Sequence, residues 1–242
     1  MPSKKYRKFK INKNNGKTRT VYSVNNKYKV RLKALMPGLE KRLLEQDSSG
    51  VNYAFERGKN CVEGALKHVG YKYTLSMDLL DFFDSVTKEH VSGLIDDEVL
   101  DLCLIDDAPK QGLPTSPLIA TIALLKCDEI ILNEIKDAAY TRYADDLTFS
   151  FNNRSYHLEI QSRVTSIVES FGFKINTHKT RLQNYKNGRI IINGVGVDKD
   201  GVHPTRKILK KIRAAEHQKN KSSLVGLREW SKCKLPKKRK GL

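Results

Sequence analysis

The stretch Tyr140-Thr-Arg-Tyr-Ala-Asp-Asp-Leu-Thr-Phe-Ser150 sets the tightest limit on what this chain can fold into. Leu147, Phe149 and Phe151 alternate with Thr148 and Ser150, the period of a half-buried strand. Tyr140 to Tyr143 reads as the partner strand, which puts Asp145 and Asp146 at or near the turn of a hairpin. A single aspartate in a turn is ordinary, because its carboxylate bonds nearby backbone N–H groups. Two adjacent carboxylates repel each other and require a cation or a special environment.

A second carboxylate site lies upstream. Tyr71 to Leu79 alternates, with Tyr73, Leu75 and Met77 on one face of a strand and Thr74, Ser76 and Asp78 on the other. Asp78 leaves the strand on the polar face, with Asp81, Phe82, Phe83 and Asp84 just beyond. Two strand-borne carboxylate sites fit a two-metal centre. Phosphoryl transfer asks little covalent chemistry of side chains; it needs ions ~3.5–4 Å apart, clamped by carboxylates. Mg²⁺ takes a few hard oxygen ligands and leaves the rest to water and substrate phosphates, so three aspartates suffice.

Charge supplies the reason for holding metal there. The net charge of +18 points to a polyanionic partner. Residues 1–39 hold twelve Lys or Arg and no acid, and residues 202–242 hold fourteen against Glu216 and Glu229. Residues 78–150 reverse this, with sixteen acids against five Lys or Arg. An acidic centre between two basic arms suits a protein that grips a phosphate backbone and holds cations in its middle, although charge runs at flexible ends are commonly no more than solvated. At 39% hydrophobic residues the chain can build a core, and its 242 residues suit one large domain or two or three subdomains around a shared cleft. No uncharged apolar run reaches membrane-spanning length and no apolar stretch follows the basic start, so neither a membrane span nor a secretory signal is expected. The four scattered cysteines read as thiols of a reducing cytoplasm, not as a disulfide frame or zinc site.

Along the chain, residues 5–24 read as a basic hairpin turning at Asn15-Gly16, with Arg19 on the returning strand beside Lys17. A helix is expected over Lys27–Gln46 with Leu32, Leu35, Leu39 and Leu43 on one face, broken or kinked at Pro37-Gly38. Residues 53–60 form a polar loop and 61–69 begin another helix. Lys110 to Pro117 is a turn-rich loop feeding a helix over 118–139, with Ser116 as N-cap and Pro117 first in the helix. A helix over 157–171 and a β-prone run over 189–197 follow. From Thr205 a helix turns Ile208, Leu209 and Ile212 inward and Lys207, Lys210, Lys211 and Arg213 outward. The basic run Lys237–Lys240 is expected to be mobile.

Met77-Asp-Leu-Leu-Asp-Phe-Phe83, Gln111-Gly-Leu-Pro-Thr-Ser-Pro117 and Tyr143-Ala-Asp-Asp146 stand in the order of the palm motifs of reverse transcriptases. The sequence resembles the bacterial branch, retron-type and group II intron-like enzymes, as a compact relative. Lys13 to Arg19 is similar to the fingers hairpin, Asn176-Thr-His-Lys179-Thr to the motif carrying a lysine near the leaving pyrophosphate, and Asn193-Gly-Val-Gly-Val197 to the palm-to-thumb transition. The likeness covers roughly residues 5–215.

The resemblance implies an α+β, right-hand polymerase fold: fingers over 1–72, a palm with an antiparallel sheet packed on helices over 73–196 (finger elements between 84 and 110), and a short basic helical thumb and tail over 197–242. It implies an RNA-directed DNA polymerase using two Mg²⁺ ions, with Mn²⁺ as an alternative. Asp78, Asp145 and Leu79 would hold metal, with Asp146 a further ligand or a neighbour of the primer end, and Lys179 would donate a proton. Arg19, Lys13, Leu79, Phe83, Gln111 and Gly112 would meet the dNTP, Phe83 as the gate against a 2′-hydroxyl. Lys17, Arg57, Tyr143, Lys207, Lys210, Lys211 and Arg213 would meet nucleic acid. The bland readings are helix-entry turn for Gln111-Gly112, core packing for Phe82 or Phe83, and solvated charge for Lys179.

Implied partners are an RNA template, in particular a cognate structured noncoding RNA, a DNA product or RNA–DNA hybrid, dNTPs, and a protein that completes the thumb. The implied setting is cytoplasmic, in msDNA synthesis or antiphage defence. The Asn-Ala-x-x-His element usual in retron enzymes is not found, Asn193-Gly-Val stands where Val-Thr-Gly is usual, and about 45 residues follow Gly196, which predicts weak grip and short products without an RNA or protein partner. The rival readings are a nucleic-acid-binding subunit of a defence or retroelement complex with little polymerase activity, and a nucleotide cyclase. A cyclase has no use for the Gln111 loop or the basic arms.

Overall fold

The computed structural model describes residues 5–12, 16 and 18–235; Lys13, Lys17 and the Lys237–Lys240 run lie outside them. In chain order the elements are β1 (Tyr6–Asn12), β2 (Thr18–Val24), α1 (Asn26–Gln46), α2 (Cys61–Leu66), β3 (Tyr73–Asp78), α3 (Phe82–Ser85), α4 (Asp97–Cys103), α5 (Ser116–Ala123) and α6 (Leu125–Glu134). Then come β4 (Ala139–Tyr143), β5 (Asp146–Phe151), α7 (Tyr156–Ser170), β6 (Arg181–Asn184), β7 (Ile190–Ile192), β8 (Val195–Val197), β9 (Val202–Pro204), α8 (Arg206–His217) and α9 (Lys221–Ser231). They divide into two compact units, the first from Met1–Gly50, Leu80–Ile130 and Ile167–Lys174, the second from Val51–Leu79, Ile131–Ser166 and Ile175–Leu242.

In the first unit β1 and β2 pair antiparallel as expected, with Arg19 opposite Ile11; Asn15 of the expected turn lies outside the described residues. Asn25 caps α1 by accepting the Tyr28 N–H at 2.8 Å. The helix buries Tyr28, Leu32, Leu39 and Leu43, each aliphatic side chain contributing roughly 2 kcal/mol by leaving water. Pro37 does not break it. The helix runs through residue 37 because Pro37 and Gly38 lie on the exposed face, where water can satisfy the carbonyl that proline leaves without a donor. α1 packs on α5, itself apolar on nearly every side. The N-cap of α5 is Thr115, one residue earlier than expected, and Ser116 instead donates its hydroxyl to the Lys110 carbonyl at 2.7 Å. The expected long helix is divided at Leu124 into α5 and α6 and ends at Glu134.

The second unit holds a four-stranded antiparallel sheet in the order β4-β5-β3-β6. Its register pairs like with like: Leu75 with Phe149 and Met77 with Leu147 on one face, Thr74 with Ser150, Ser76 with Thr148 and Asp78 with Asp146 on the other. The second face was expected to be wet, but Thr74, Thr148 and Ser150 are buried. His68, just past α2, bridges the Ser150 hydroxyl at 2.9 Å and the Thr141 hydroxyl at 2.6 Å, while Thr74 and Ser150 share a 2.7 Å bond. The polar groups are therefore satisfied against each other, as burial requires.

A small sheet, β7-β8-β9, packs Ile190, Ile192, Val195 and Val197 on Cys61, Val62 and Ala65 of α2 and leaves Ile191 exposed. Its first two strands meet at Asn193-Gly194, both with positive φ (48° and 81°), the geometry of a type I′ hairpin turn. α8, capped by Thr205, packs on α9 and turns Ile208 and Ala215 inward; Leu209, expected inward, is 39% exposed. All four cysteines are free, and among the described residues no helix is long and apolar enough to cross a membrane.

Candidate active site

Three carboxylates converge at the ends of β3 and β5. Asp78 closes β3, Asp146 opens β5 directly opposite it, and Asp145 forms the turn with Ala144. Like charges directly across an antiparallel pair are destabilising, so this register gives up stability for something else. The turn is strained as well: Ala144 has φ +57°, a position that ordinarily takes glycine. It is braced from below by the buried Arg142, whose guanidinium donates to the Ala144 carbonyl at 3.3 Å. Leu79 donates its N–H to the Asp145 carbonyl at 2.9 Å, and Asn176 donates its N–H to the Asp78 carbonyl at 2.7 Å. Both strand ends are thus fixed by backbone.

Burial, then the charges of Asp145 and Asp78, push the Asp146 carboxyl up to about 6, against the pull of Lys179. The Lys179 ammonium contacts both oxygens of Asp78, at 2.6 and 2.9 Å. Its partial burial works to lower its pKa, but the bond to Asp78 and the charges of Asp145 and Asp146 outweigh this and raise it. Asp78, Asp146 and Lys179 share a cleft of about 640 Å³ with Ser76, Met77, Thr148, Arg181, Leu182, Gln183, Ile191 and Asn193. Among the described residues no three His, Cys, Asp or Glu side chains are already close enough to hold a metal ion. The donor set nonetheless fits a hard divalent cation: it is all oxygen, and burial, with the charges of Asp145 and Asp78 added to it, holds a proton on Asp146 above the usual range, an environment that a cation would relieve.

The other expected residues divide cleanly. Tyr143 lies beside Asp146 and packs on the cluster around Cys61. Arg57 is exposed on its loop. Lys207, Lys210 and Lys211 line a shallow groove on α8 with Arg206 and Ala214, whereas Arg213 lies outside it. In the first unit, the Tyr22 N–H of β2 donates to the Gln111 carbonyl at 2.8 Å, which ties the strand carrying Arg19 to the Gln111-Gly112 loop. Phe82 is buried and Phe83 half-buried, their ring centroids 5.4 Å apart, so core packing falls to Phe82.

Residues 105–227 match the family described as reverse transcriptase (RNA-dependent DNA polymerase), about half of the chain. The chain belongs to the reverse transcriptase family. Within it, the similarity is to retron-type members. The retron Mx162 reverse transcriptase of Myxococcus xanthus is 29% identical over 89% of this chain and 53% of its own length. The retron Ec86 reverse transcriptase of Escherichia coli is 30% identical over 82% of this chain and 64% of its own. The chain therefore spans between half and two thirds of the length of these relatives. Among solved structures, a foamy viral protease-reverse transcriptase in complex with double-stranded DNA superposes with a TM-score of 0.57 at 21% identity, covering 93% of this chain and 35% of that one. This likeness is one of fold, the right-hand polymerase fold of the family.

His68 is the residue that reading the sequence missed. Gly64-Ala-Leu-Lys-His68 has the spacing of the retron Asn-Ala-x-x-His element, with glycine in the first place. The reason is packing. A Cβ at Gly64 would lie 3.0 Å from Cγ of the buried Tyr53 ring, so no asparagine fits there without moving the ring. The signal was present as Ala-x-x-His ahead of the Asp78 strand.

Proposed function

We propose that this chain is an RNA-directed DNA polymerase, adding deoxynucleotides to a primer 3′ end with an RNA as template. The observation that carries this reading is the pairing of Asp78 with Asp146 across adjacent strands, in one cleft with Lys179 on Asp78, while Asp145 stands next to Asp146 at the turn. Asp78, Asp145 and Asp146, with the Leu79 carbonyl, would hold divalent metal, Mg²⁺ or Mn²⁺. Held by these residues, the metal would supply charge neutralisation at the transferring phosphoryl group and activation of the attacking oxygen. Lys179 holds a proton at Nζ for the leaving pyrophosphate. Arg19 pairs with the triphosphate, Gln111 and Gly112 lie along the nucleotide, and Phe83 meets the sugar where a 2′-hydroxyl would stand. Tyr143 backs the primer terminus, and the α8 lysines with Arg57 and Arg213 grip phosphates, a contact that salt weakens by counterion release.

In this reading residues 1–72 are fingers, 73–196 palm, and 197–242 thumb and tail. The likeness to retron enzymes supports a cognate structured RNA as template and a part in msDNA synthesis or phage defence. The test is primer extension on a primed RNA with dNTPs and Mg²⁺, comparing the wild type with Asp145→Asn. Incorporation by the wild type and its loss in the variant are expected. No incorporation on any primed RNA, or equal activity in the variant, would sink the reading.

A further inference from the structure

The cleft at the carboxylates has a second wall. One side is the end of the four-stranded sheet, with Asp78 and Asp146; the other is the β7–β8 hairpin, with Ile191 and Asn193. β6 is the outer strand of the first sheet and β7 the outer strand of the second. Two sheet edges held side by side ordinarily either join by a backbone ladder or drift apart. Here one side chain joins them. The Gln183 amide of β6 donates to the Ile191 carbonyl at 3.0 Å and accepts the Ile191 N–H at 2.9 Å.

The hairpin geometry explains why Ile191 is the residue engaged. In a two-residue hairpin the pair flanking the turn, here Ile192 and Val195, exchange both backbone hydrogen bonds, and the next pair does not. Ile191 and Gly196 are that next pair, so both backbone polar groups of Ile191 point off the edge, towards β6. Gln183 carries one donor and one acceptor at the spacing of a peptide group, so it caps both. On its own strand Gln183 pairs with Thr74 of β3, the strand that ends at Asp78. The chain of rigid links therefore runs from Asp78 along β3, across to Gln183, through its amide to Ile191, and out to the turn at Asn193.

We propose that Gln183 is a positioning residue that sets the width of this cleft, and through it the placing of the primer strand's 3′ end against the carboxylates. This rests on the polymerase reading above. Both hydrogen bonds are solvent-exposed, so water replaces them when they are lost. The consequence is a misplaced hairpin, with little loss of folding.

The test uses Gln183→Met, which keeps length and bulk but can make neither bond, and Gln183→Glu, which can accept from the Ile191 N–H but not donate to its carbonyl. The KM for a pre-annealed RNA–DNA primer-template and the KM for dNTP are measured at saturating Mg²⁺, alongside the unfolding midpoint. The expected result is a primer-template KM at least fivefold higher in both variants, a dNTP KM within twofold of wild type, and an unfolding midpoint within about 3 °C. An unchanged primer-template KM, an equal rise in both KM values, or a collapse of the unfolding midpoint overturns the inference. A wild type that extends no primer removes the polymerase reading and this inference with it, whereas an active wild type matched by Gln183→Met removes the inference alone.

Discussion

The ammonium of Lys179 spans both carboxylate oxygens of Asp78, 101 residues away in sequence. A cation bound through Asp78 would compete with it for these oxygens. The lysine side chain is 56% exposed, so solvent screens the pair and it is worth at most about 1 kcal/mol. Lys179→Met should therefore lower the Mg²⁺ concentration needed for half-maximal primer extension by only about two- to fivefold. If Nζ also supplies the proton to pyrophosphate, kcat falls by roughly 10²-fold in the same variant. A Mg²⁺ titration of steady-state extension reads both numbers, and an unchanged half-saturation would mean that the ammonium and the metal do not compete.

His68 gives the fold an acid limit. Its ring is buried between the hydroxyls of Ser150 and Thr141, and burial pulls its pKa down from 6.5 to about 4. A depressed histidine is neutral in the folded state, while the unfolded chain takes up a proton below 6.5. The stability it supports is present in full above pH 6.5 and is lost as the pH falls from there towards 4. Between pH 7.5 and 5.0 the loss should be about 2 kcal/mol. Urea unfolding at the two pH values measures it. His68→Gln, with no titrating ring, should start less stable at pH 7.5 and lose about 2 kcal/mol less on acidification.

The site was legible where its chemistry is local. Adjacent aspartates inside an alternating run mark Asp145 and Asp146, and the alternation of Tyr73 to Asp78 puts Asp78 on a polar strand face. What period-2 reasoning could not give is how that face is covered. Thr148 and Ser150 look half-exposed in sequence, yet both are buried, Ser150 beneath His68, which also bonds Thr141 of the neighbouring strand. Pro37 misled for the opposite reason: a helix breaker by propensity is tolerated because tertiary packing holds the other face of α1. The Lys179–Asp78 and Gln183–Ile191 contacts depend on long-range register, which no local pattern encodes.

Phe82 and Phe83 should separate in their effects. Phe82 is buried, so Phe82→Ala should cost about 3–4 kcal/mol of stability by leaving a cavity. Phe83 keeps part of its ring exposed, so Phe83→Ala should cost less than half of that in stability. Its expected signature is chemical: a ribonucleotide-to-deoxynucleotide incorporation ratio at least tenfold higher than wild type. Single-nucleotide incorporation with dNTP and rNTP, together with thermal unfolding, distinguishes the two. A Phe83 variant that loses stability but keeps its discrimination would return Phe83 to the core.

Gly112 is the tightest backbone contact beside the Gln111 loop. Its φ of +109° lies in a region that other L-residues seldom enter, and a Cβ built there would overlap the Tyr22 carbonyl oxygen and crowd Val21. The same Tyr22 donates its N–H to Gln111, so the loop cannot back away without breaking the bond that ties it to the strand of Arg19. Strain of about 1–3 kcal/mol at φ adds to that collision. Gly112→Ala should therefore destabilise the chain and raise the dNTP KM at least tenfold, with a smaller change in the primer-template KM. Gly38→Ala is the control. Gly38 lies inside α1 with nothing within 4 Å of a built Cβ, so alanine there should raise stability by about 0.5–1 kcal/mol and leave both KM values alone. Equal behaviour of the two variants would mean that the Gln111–Tyr22 contact has no part in placing the nucleotide.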